Sequence, residues 1–337
     1  MTNPLLPTVQ LGTDGPLVGV QGLGCMGMSE FYGPTDTDEA LATLGAALET
    51  GVTLFDTADM YGFGRNEEFI GPFVRANRDK VVLATKFAIE RKEDDPTYRA
   101  VRNDPAYIRS AVDASLRRLG VDEIDLYYMH RRDPRVPIAE SVGAMAELVT
   151  AGKVRHLGLS EVSAGELREA HAVHPIAAVQ TEWSVFSRDV EGTVVPVAAE
   201  LGVGFVPYSP LGRGFLTGSF QAADQLAADD FRRSQPRFTG DNAAANGDLL
   251  APLREVAAAR GATLAQVALA WVQQRAEVHG LTVVPIPGTR KRTRLVENAG
   301  AVALRLTAEE LALLEPIGGA VAGDRYSDMG FTHVGRE

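Results

Sequence analysis

Residues 52–62 read VTLFDTADMYG, and the fold turns on how that stretch is interpreted. Val52, Thr53, Leu54 and Phe55 are β-branched, aliphatic or aromatic, the composition of a buried strand. The run turns polar at Asp56 and continues as a loop of Thr57, Ala58, Asp59, Met60, Tyr61 and Gly62. Packing alone gives no reason for a carboxylate at the end of a buried strand, with a tyrosine five residues further on. The stretch therefore predicts a covered strand whose end carries chemistry.

Working outward, the same unit recurs: a short apolar run, a polar loop, then an amphipathic helix. Residues 18–25 predict a first strand and 38–50 its helix, ended by Gly51. Further strands are predicted at 81–86, 124–130, 154–160, 177–183, 203–209 and 282–286. Helices are predicted at 66–76, 105–119, 137–150, 163–173, 190–201, 248–260, 263–275 and 291–302, with a charged insertion at about 90–104. Apolar runs this short and continuous suit strands covered on both faces. Eight such units in 337 residues predict an α/β fold, a (β/α)8 TIM barrel, with residues 1–337 as a single domain. Residues 8–17 predict an N-terminal β-hairpin, and 307–317 an extra C-terminal helix capped by Thr307 and Glu310. The tail at 320–337 either drapes over the barrel or is disordered. A doubly wound open sheet is the alternative. Its Gly-rich fingerprint would have to be GLGCMG, which has G-x-G at Gly22 and Gly24 but lacks the later glycine at the required place.

Bulk properties narrow the function. A net charge of -11 argues against a general nucleic-acid binder. No segment approaches the roughly 18 apolar residues that span a bilayer, and the first ten residues carry no signal-peptide pattern. A single cysteine, Cys25, excludes an internal disulfide and cysteine-built metal sites. The six histidines are scattered, without metal-binding spacing, so no metal is expected. These features lead to the expectation of a soluble cytoplasmic protein, without nucleic acid or membrane; the small-molecule partner is expected from the residues below. Oligomeric state is left open between monomer and homo-oligomer.

In a barrel, functional groups stand where strands end and βα loops begin. Those positions hold Asp56, Lys86, His130, Ser160, Gln180 and Tyr208. Asp, Tyr, Lys and His together fit proton donation to a carbonyl. A tyrosine has an ordinary pKa of about 10, and a neighbouring ammonium, Lys86, is expected to lower that of Tyr61. Asp56 would supply the counter-ion of Lys86, and His130 would orient the substrate oxygen.

Along nearly its whole length the sequence resembles the aldo-keto reductase superfamily. The stretches that carry the resemblance are GLGCMGMS (22–29), GVTLFDTADMYG (51–62), ATK (84–86), IDLYYMHR (124–131), GKVRHLGLS (152–160), QTEWSVFSRD (180–189), PYSPLGRGFLTG (207–218) and IPGTRKRTRLVENAGA (286–301). YSPLGRGFLTG and IPGTRKR look closer to the bacterial and plant branch related to perakine reductase, pyridoxal reductase and auxin-induced-protein-like reductases than to the mammalian steroid-reducing branch. The resemblance implies NADPH-dependent reduction of aldehydes or ketones, with Asp56, Tyr61, Lys86 and His130 as catalytic residues and Tyr61 as general acid. It implies that Ser160 and Gln180 bind the nicotinamide carboxamide and that Tyr208 stacks on the ring. Glu161 stands where the family often has Asn. Gly24, Cys25 and Met26 are implied on the cofactor side, and Ser209, Leu211, Gly212 and Arg213 along the pyrophosphate. Gly288 and Thr289 stand where the family often has Lys-Ser. One or more of Arg290, Lys291 and Arg294 would grip the 2′-phosphate of NADPH, and Glu297 and Asn298 the adenine. Independently, the basic run Arg290, Lys291, Arg292 and Arg294 opens a helix, where free N–H groups already favour an anion.

The substrate pocket is expected between loops, walled by Met26, Met28 and Phe31, by Trp183 and Phe186, and by Phe215. The long loop at 210–246 is expected to order when cofactor or substrate binds. Two other functions remain open: a cofactor-sensing regulatory subunit of the same fold, and a dehydrogenase of sugars or pyridoxal-like alcohols.

Overall fold

The computed structural model describes residues 5–95, 97–219, 223 and 226–337. Its centre is a parallel sheet of seven strands curved into a nearly closed ring. In chain order these are β3 (Leu23–Gly24), β4 (Leu54–Asp56), β5 (Val82–Phe87), β8 (Ile124–Met129), β9 (Val154–Ser160), β10 (Ile176–Glu182) and β11 (Gly204–Tyr208), each hydrogen-bonded to the next. Two antiparallel pairs lie outside the ring: β1 (Thr8–Gln10) with β2 (Leu17–Gly19), and β6 (Ile89–Arg91) with β7 (Arg99–Val101). The second pair is formed by the charged insertion.

The eighth position is where sequence and structure differ. Residues 282–288 close the ring, but as isolated bridges rather than a strand: Val283 pairs with Phe205 and Gly288 with Gly24. Proline explains this. Val284 and Ile286 donate to the carbonyls of Phe205 and Pro207 at 2.9 and 3.1 Å. The alternate residues face β3, and there Pro285 and Pro287 have no N–H to give. The Pro285 carbonyl does bond in that direction, accepting from the N–H of Gly22. The predicted first strand is shortened for a related reason. Leu17–Gly19 pairs with Thr8–Gln10 in the hairpin, so Leu23–Gly24 alone joins the ring.

Helices cover the outside: α1 (Thr37–Thr50), α2 (Arg65–Ala76), α3 (Pro105–Leu119), α4 (Ile138–Thr150), α5 (Ala164–Val173), α6 (Val194–Leu201), α7 (Gly240–Asp248), α8 (Ala251–Arg260), α9 (Leu264–His279), α10 (Arg292–Gly300), α11 (Ala308–Leu314) and α12 (Ile317–Ala320). Their ends follow local chemistry. Asp36 and Asp104 cap α1 and α3 by accepting backbone N–H groups, and α5, α9 and α11 begin with complete capping boxes. The 210–246 loop holds short 3-10 turns at Phe231–Ser234 and Pro236–Phe238 before α7; residues 220–222 and 224–225 of it lie outside the described residues.

Alternation along the strands sorts side chains into two layers. Leu54, Ala84, Leu126, Tyr128, Ala178 and Val206 fill the ring interior, together with Leu11 and Val18 from the hairpin at its lower end. Phe55, Leu83, Tyr127, Met129, Leu157 and Val179 face the helices. Gly158 makes room for this arrangement, because a Cβ there would lie 2.4 Å from the Tyr128 ring. Among the described residues, no helix is long and apolar enough to cross a membrane.

Candidate active site

Counting two residues on from each interior side chain leads to the carboxyl end of the ring. Asp56 follows Leu54, Lys86 follows Ala84, His130 follows Tyr128, Ser160 follows Gly158, Gln180 follows Ala178 and Tyr208 follows Val206. All six therefore share the inward register and converge at one end. Backbone bonds extend the ladder beyond the strands and hold these ends in place. The His130 N–H donates to the Phe87 carbonyl and the Cys25 N–H to that of Asp56, each at 2.8 Å.

Lys86 is fully buried, and its ammonium donates to Asp56 Oδ1 and, at 2.8 Å, to the Thr57 carbonyl. Asp56 Oδ2 accepts from the Gln180 amide at 2.8 Å. A buried ammonium is tolerated here because a carboxylate and a carbonyl replace water. Burial still pulls the Lys86 pKa down, and Asp56 opposes this.

Tyr61 lies beyond β4 in a short 3-10 turn, Tyr61–Gly64, and is 7% exposed. Its ring sits 5.3 Å from the Lys86 Nζ and edge-on to His130, with centroids 5.9 Å apart. The four residues expected to act together are thus neighbours. Their electrostatics depart from expectation. Burial pushes the Tyr61 phenol well above its ordinary value, Asp56 adds to the rise, and the cation that opposes it most is Arg131. The expected lowering by Lys86 is cancelled by geometry, since the Lys86 charge is paired with Asp56. His130 is driven well below its ordinary value, first by burial and then by Arg131, Lys86 and Arg99. Tyr61 is therefore a protonated donor at neutral pH, and His130 is a neutral imidazole.

Ser160 and Gln180 are register partners on adjacent strands, and Tyr208 pairs with Glu182 on the next. Backbone strain collects around them: Glu161, Ser209 and Arg213 all have positive φ, at 52°, 49° and 56°. Leu211 and Gly212 lie between the last two, ending a tight turn. Gly24 approaches Gly288 so closely that a Cβ would lie 3.0 Å from the Ile286 carbonyl. Cys25 is buried, so at that position the backbone alone remains for contact, whereas Met26 packs beside Tyr61.

The basic run divides into two kinds. Arg290 turns inward and donates to the carbonyls of Gly27, Gly33 and Tyr32 and to the Thr35 hydroxyl, tying down the loop after β3. Arg292 pairs with Glu39 at 2.9 Å. Lys291 and Arg294 are exposed beside the first turn of α10 and make no side-chain ion pair among the described residues. Thr289 bonds to the Lys291 backbone, the Glu297 carbonyl accepts from Gln266, and Asn298 is buried.

Two expected pocket residues lie elsewhere. Trp183 has the register of Val179, one residue away from that of Gln180, and so faces the helices. It is fully buried, packs on Phe205 and His279, and donates its indole N–H to Glu191 at 3.0 Å. Met28 likewise belongs to the outer core. Phe31 stays near the site, packed against the Tyr61 cluster and edge-on to Phe231. Phe186 and Phe215 line a narrow cleft together with Arg213 and Arg325.

The C-terminal tail was missed as a site component. It drapes across the carboxyl end of the ring. Glu161, fully buried, accepts from Arg325 at 2.9 Å, from the Tyr208 hydroxyl at 2.6 Å and meets His333 Nδ1 at 3.0 Å. Asp189 joins Arg325 and His333 from the other side at 3.1 and 3.2 Å. Arg325 holds Glu161 well below the usual carboxylate range, and the two carboxylates raise His333 to about 9. The Tyr326 hydroxyl lies 3.0 Å from that of Tyr208, and its ring meets Phe331 edge-on. The one sequence signal was Glu161 itself, a carboxylate directly after a buried strand.

With this geometry in hand, similarity to known proteins places the chain. It belongs to the aldo/keto reductase family, whose sequence model matches residues 22–318. It is accordingly an oxidoreductase of carbonyl and alcohol groups, in a family that works with nicotinamide cofactors. Similar solved structures include the glycerol dehydrogenase AKR11B4 from Gluconobacter oxydans, at 30% identity and a TM-score of 0.80, covering 94% of this chain and 95% of that one. The thermostable aldo-keto reductase Tm1743, solved with the inhibitor epalrestat, has 28% identity and a TM-score of 0.72 over 93% of this chain and 100% of its own. The aldo-keto reductase AKR11C1 from Bacillus halodurans, in its holo form, has 27% identity and a TM-score of 0.73 over 96% and 100%.

Proposed function

We propose that this chain reduces aldehydes or ketones to alcohols with NADPH, and that Tyr61 is the proton donor. The observation that carries the reading is Tyr61 itself. Its hydroxyl makes no hydrogen bond among the described residues, it is held protonated by burial, and it stands against neutral His130 above the Lys86–Asp56 pair.

The chain's residues fit the cofactor at both ends. Ser160 and Gln180 present adjacent polar groups for a carboxamide, and Tyr208 offers a ring. Lys291 and Arg294 are two cations without an ion pair among the described residues, beside a helix N-terminus where a 2′-phosphate would add negative charge. When bound, NADPH supplies the hydride. Tyr61 then donates its proton to the carbonyl oxygen, and neutral His130 holds that oxygen by a hydrogen bond. Lys86 and Asp56 fix the floor of the site. A raised phenol favours the acid role, so alcohol oxidation, which needs the phenolate, should accelerate as pH rises while reduction stays level near neutrality.

The test is NADPH oxidation followed at 340 nm on a panel of aldehydes and ketones, with wild type and Tyr61→Phe. The variant should lose about 100-fold or more in turnover and keep its NADPH affinity. A Tyr61→Phe enzyme with wild-type turnover would rule out the assignment of the acid.

A further inference from the structure

We infer that Arg131 is a substrate-anchoring residue, and that the preferred substrates are oxo acids, carbonyl compounds that also carry a carboxylate. The inference rests on the carbonyl-reductase reading above and names the substrate class for that same site.

Arg131 directly follows His130 and is 6% exposed. One guanidinium nitrogen, Nη1, donates to the His130 carbonyl at 2.7 Å and to the Ser160 hydroxyl at 3.2 Å. Its Nε is buried and has no hydrogen-bond partner among the described residues. Across from it lies the face of Phe331, with the guanidinium carbon 5.7 Å from the ring centre. The side chain thus lies among the groups that form the site: His130, Ser160 and the tail.

The other buried cations around it each have a carboxylate partner. Lys86 pairs with Asp56, Arg213 and Arg237 with Glu182, and Arg325 and His333 with Glu161 and Asp189. Arg131 forms no ion pair with a carboxylate among the described residues. A buried guanidinium without a counter-ion is costly, and structures retain one where an anion completes it. Its planar fork matches a carboxylate in two parallel hydrogen bonds. The field has the same sign at the rim. Arg99, on β7, is exposed, and its only side-chain hydrogen bond among the described residues is to the sulfur of Met60 at 3.7 Å. Burial depresses His130 most, and Arg131, Lys86 and Arg99 add to the depression while Glu161 opposes it. Neutral oxygen atoms hold Arg131 in place, and Glu161 acts on it through space without a direct ion pair.

The experiment compares each acid with its methyl ester: phenylglyoxylate with methyl phenylglyoxylate, and succinic semialdehyde with methyl 4-oxobutanoate. In wild type, kcat/KM should favour the acid in at least one pair by about 10-fold or more, the size of a charge-assisted hydrogen-bond pair. Arg131→Leu should abolish that preference, and Arg131→Lys should restore part of it. A wild-type enzyme that reduces the esters as well as the acids overturns the inference and leaves the carbonyl-reductase reading intact. An acid preference that survives in Arg131→Leu also overturns it. If wild type reduces neither acids, esters nor simple aldehydes with NADPH, the broader reading falls and this one with it. The wild-type ratio is decisive by itself should Arg131→Leu fail to fold.

Discussion

Removing the proton from His333 should loosen the C-terminal tail, and the size of the effect follows from the structure. His333 is buried between Glu161 and Asp189, and its pKa is raised from 6.5 to about 9. In a released tail it would titrate near its ordinary value of about 6.5. A group whose folded pKa is raised contributes fully below the unfolded value and loses that contribution as pH climbs through the folded one. Here the contribution is complete below about pH 6.5 and gone above about pH 9. Between pH 7 and pH 10 it falls by about 2.5 kcal/mol, equivalent to about a 70-fold rise in tail opening. Glu161 sets the acid limit in the opposite sense. Its depressed pKa means its contribution holds above its ordinary range and is lost as pH falls below it. The groups that face His333 are Glu161, Asp189 and Arg325, and the arginine keeps its charge throughout. The assay is hydrogen exchange of residues 323–337, expressed as protection relative to the unstructured rate so that base catalysis of exchange divides out. Wild-type protection should drop across that window while barrel strands such as Val154–Ser160 stay protected. His333→Asn should begin with low protection and change little with pH. Equal pH dependence in wild type and His333→Asn would refute the reasoning.

Two further outcomes test the site's assignment. Trp183→Ala should cost about 3–5 kcal/mol in denaturant unfolding, the range for emptying a buried aromatic site, with KM for the substrate little altered; a large KM change at unaltered stability would return Trp183 to the pocket. Lys291→Ala and Arg294→Ala together should raise the dissociation constant of NADPH by about 10-fold or more and leave that of NADH almost unchanged, read by fluorescence titration; equal weakening of both would remove these residues from the 2′-phosphate.

Much of the site was legible because it follows a period of two. Asp56, Lys86, His130, Ser160, Gln180 and Tyr208 each end a short apolar run, and each shares the inward register of the side chain two residues earlier. Trp183 shows the limit of that reading. It sits three residues after Gln180, so the same alternation turns it toward the helices, and membership of a family motif does not reveal which face a residue takes. Among the basic residues, composition alone could not separate Arg290, which is consumed by carbonyls of the loop after β3, from Arg294, which is not. The irregular eighth strand was readable in principle, since Pro285 and Pro287 lie within it.

The tail was not legible, for a different reason. Arg325 meets Glu161 across 164 residues of chain, and no local pattern encodes so distant a partner. Sequence by itself determined the alternating units, the caps, the inward polar residues at the strand ends and the family, because each depends on neighbours a few positions away. Tertiary structure alone decided which charges are matched and which are left over. Lys86 gives up its influence on Tyr61 to Asp56, Glu161 is spent on Arg325 and His333, and Arg131 keeps its charge. Such outcomes depend on desolvation and on distances between strands, which only the closed ring creates.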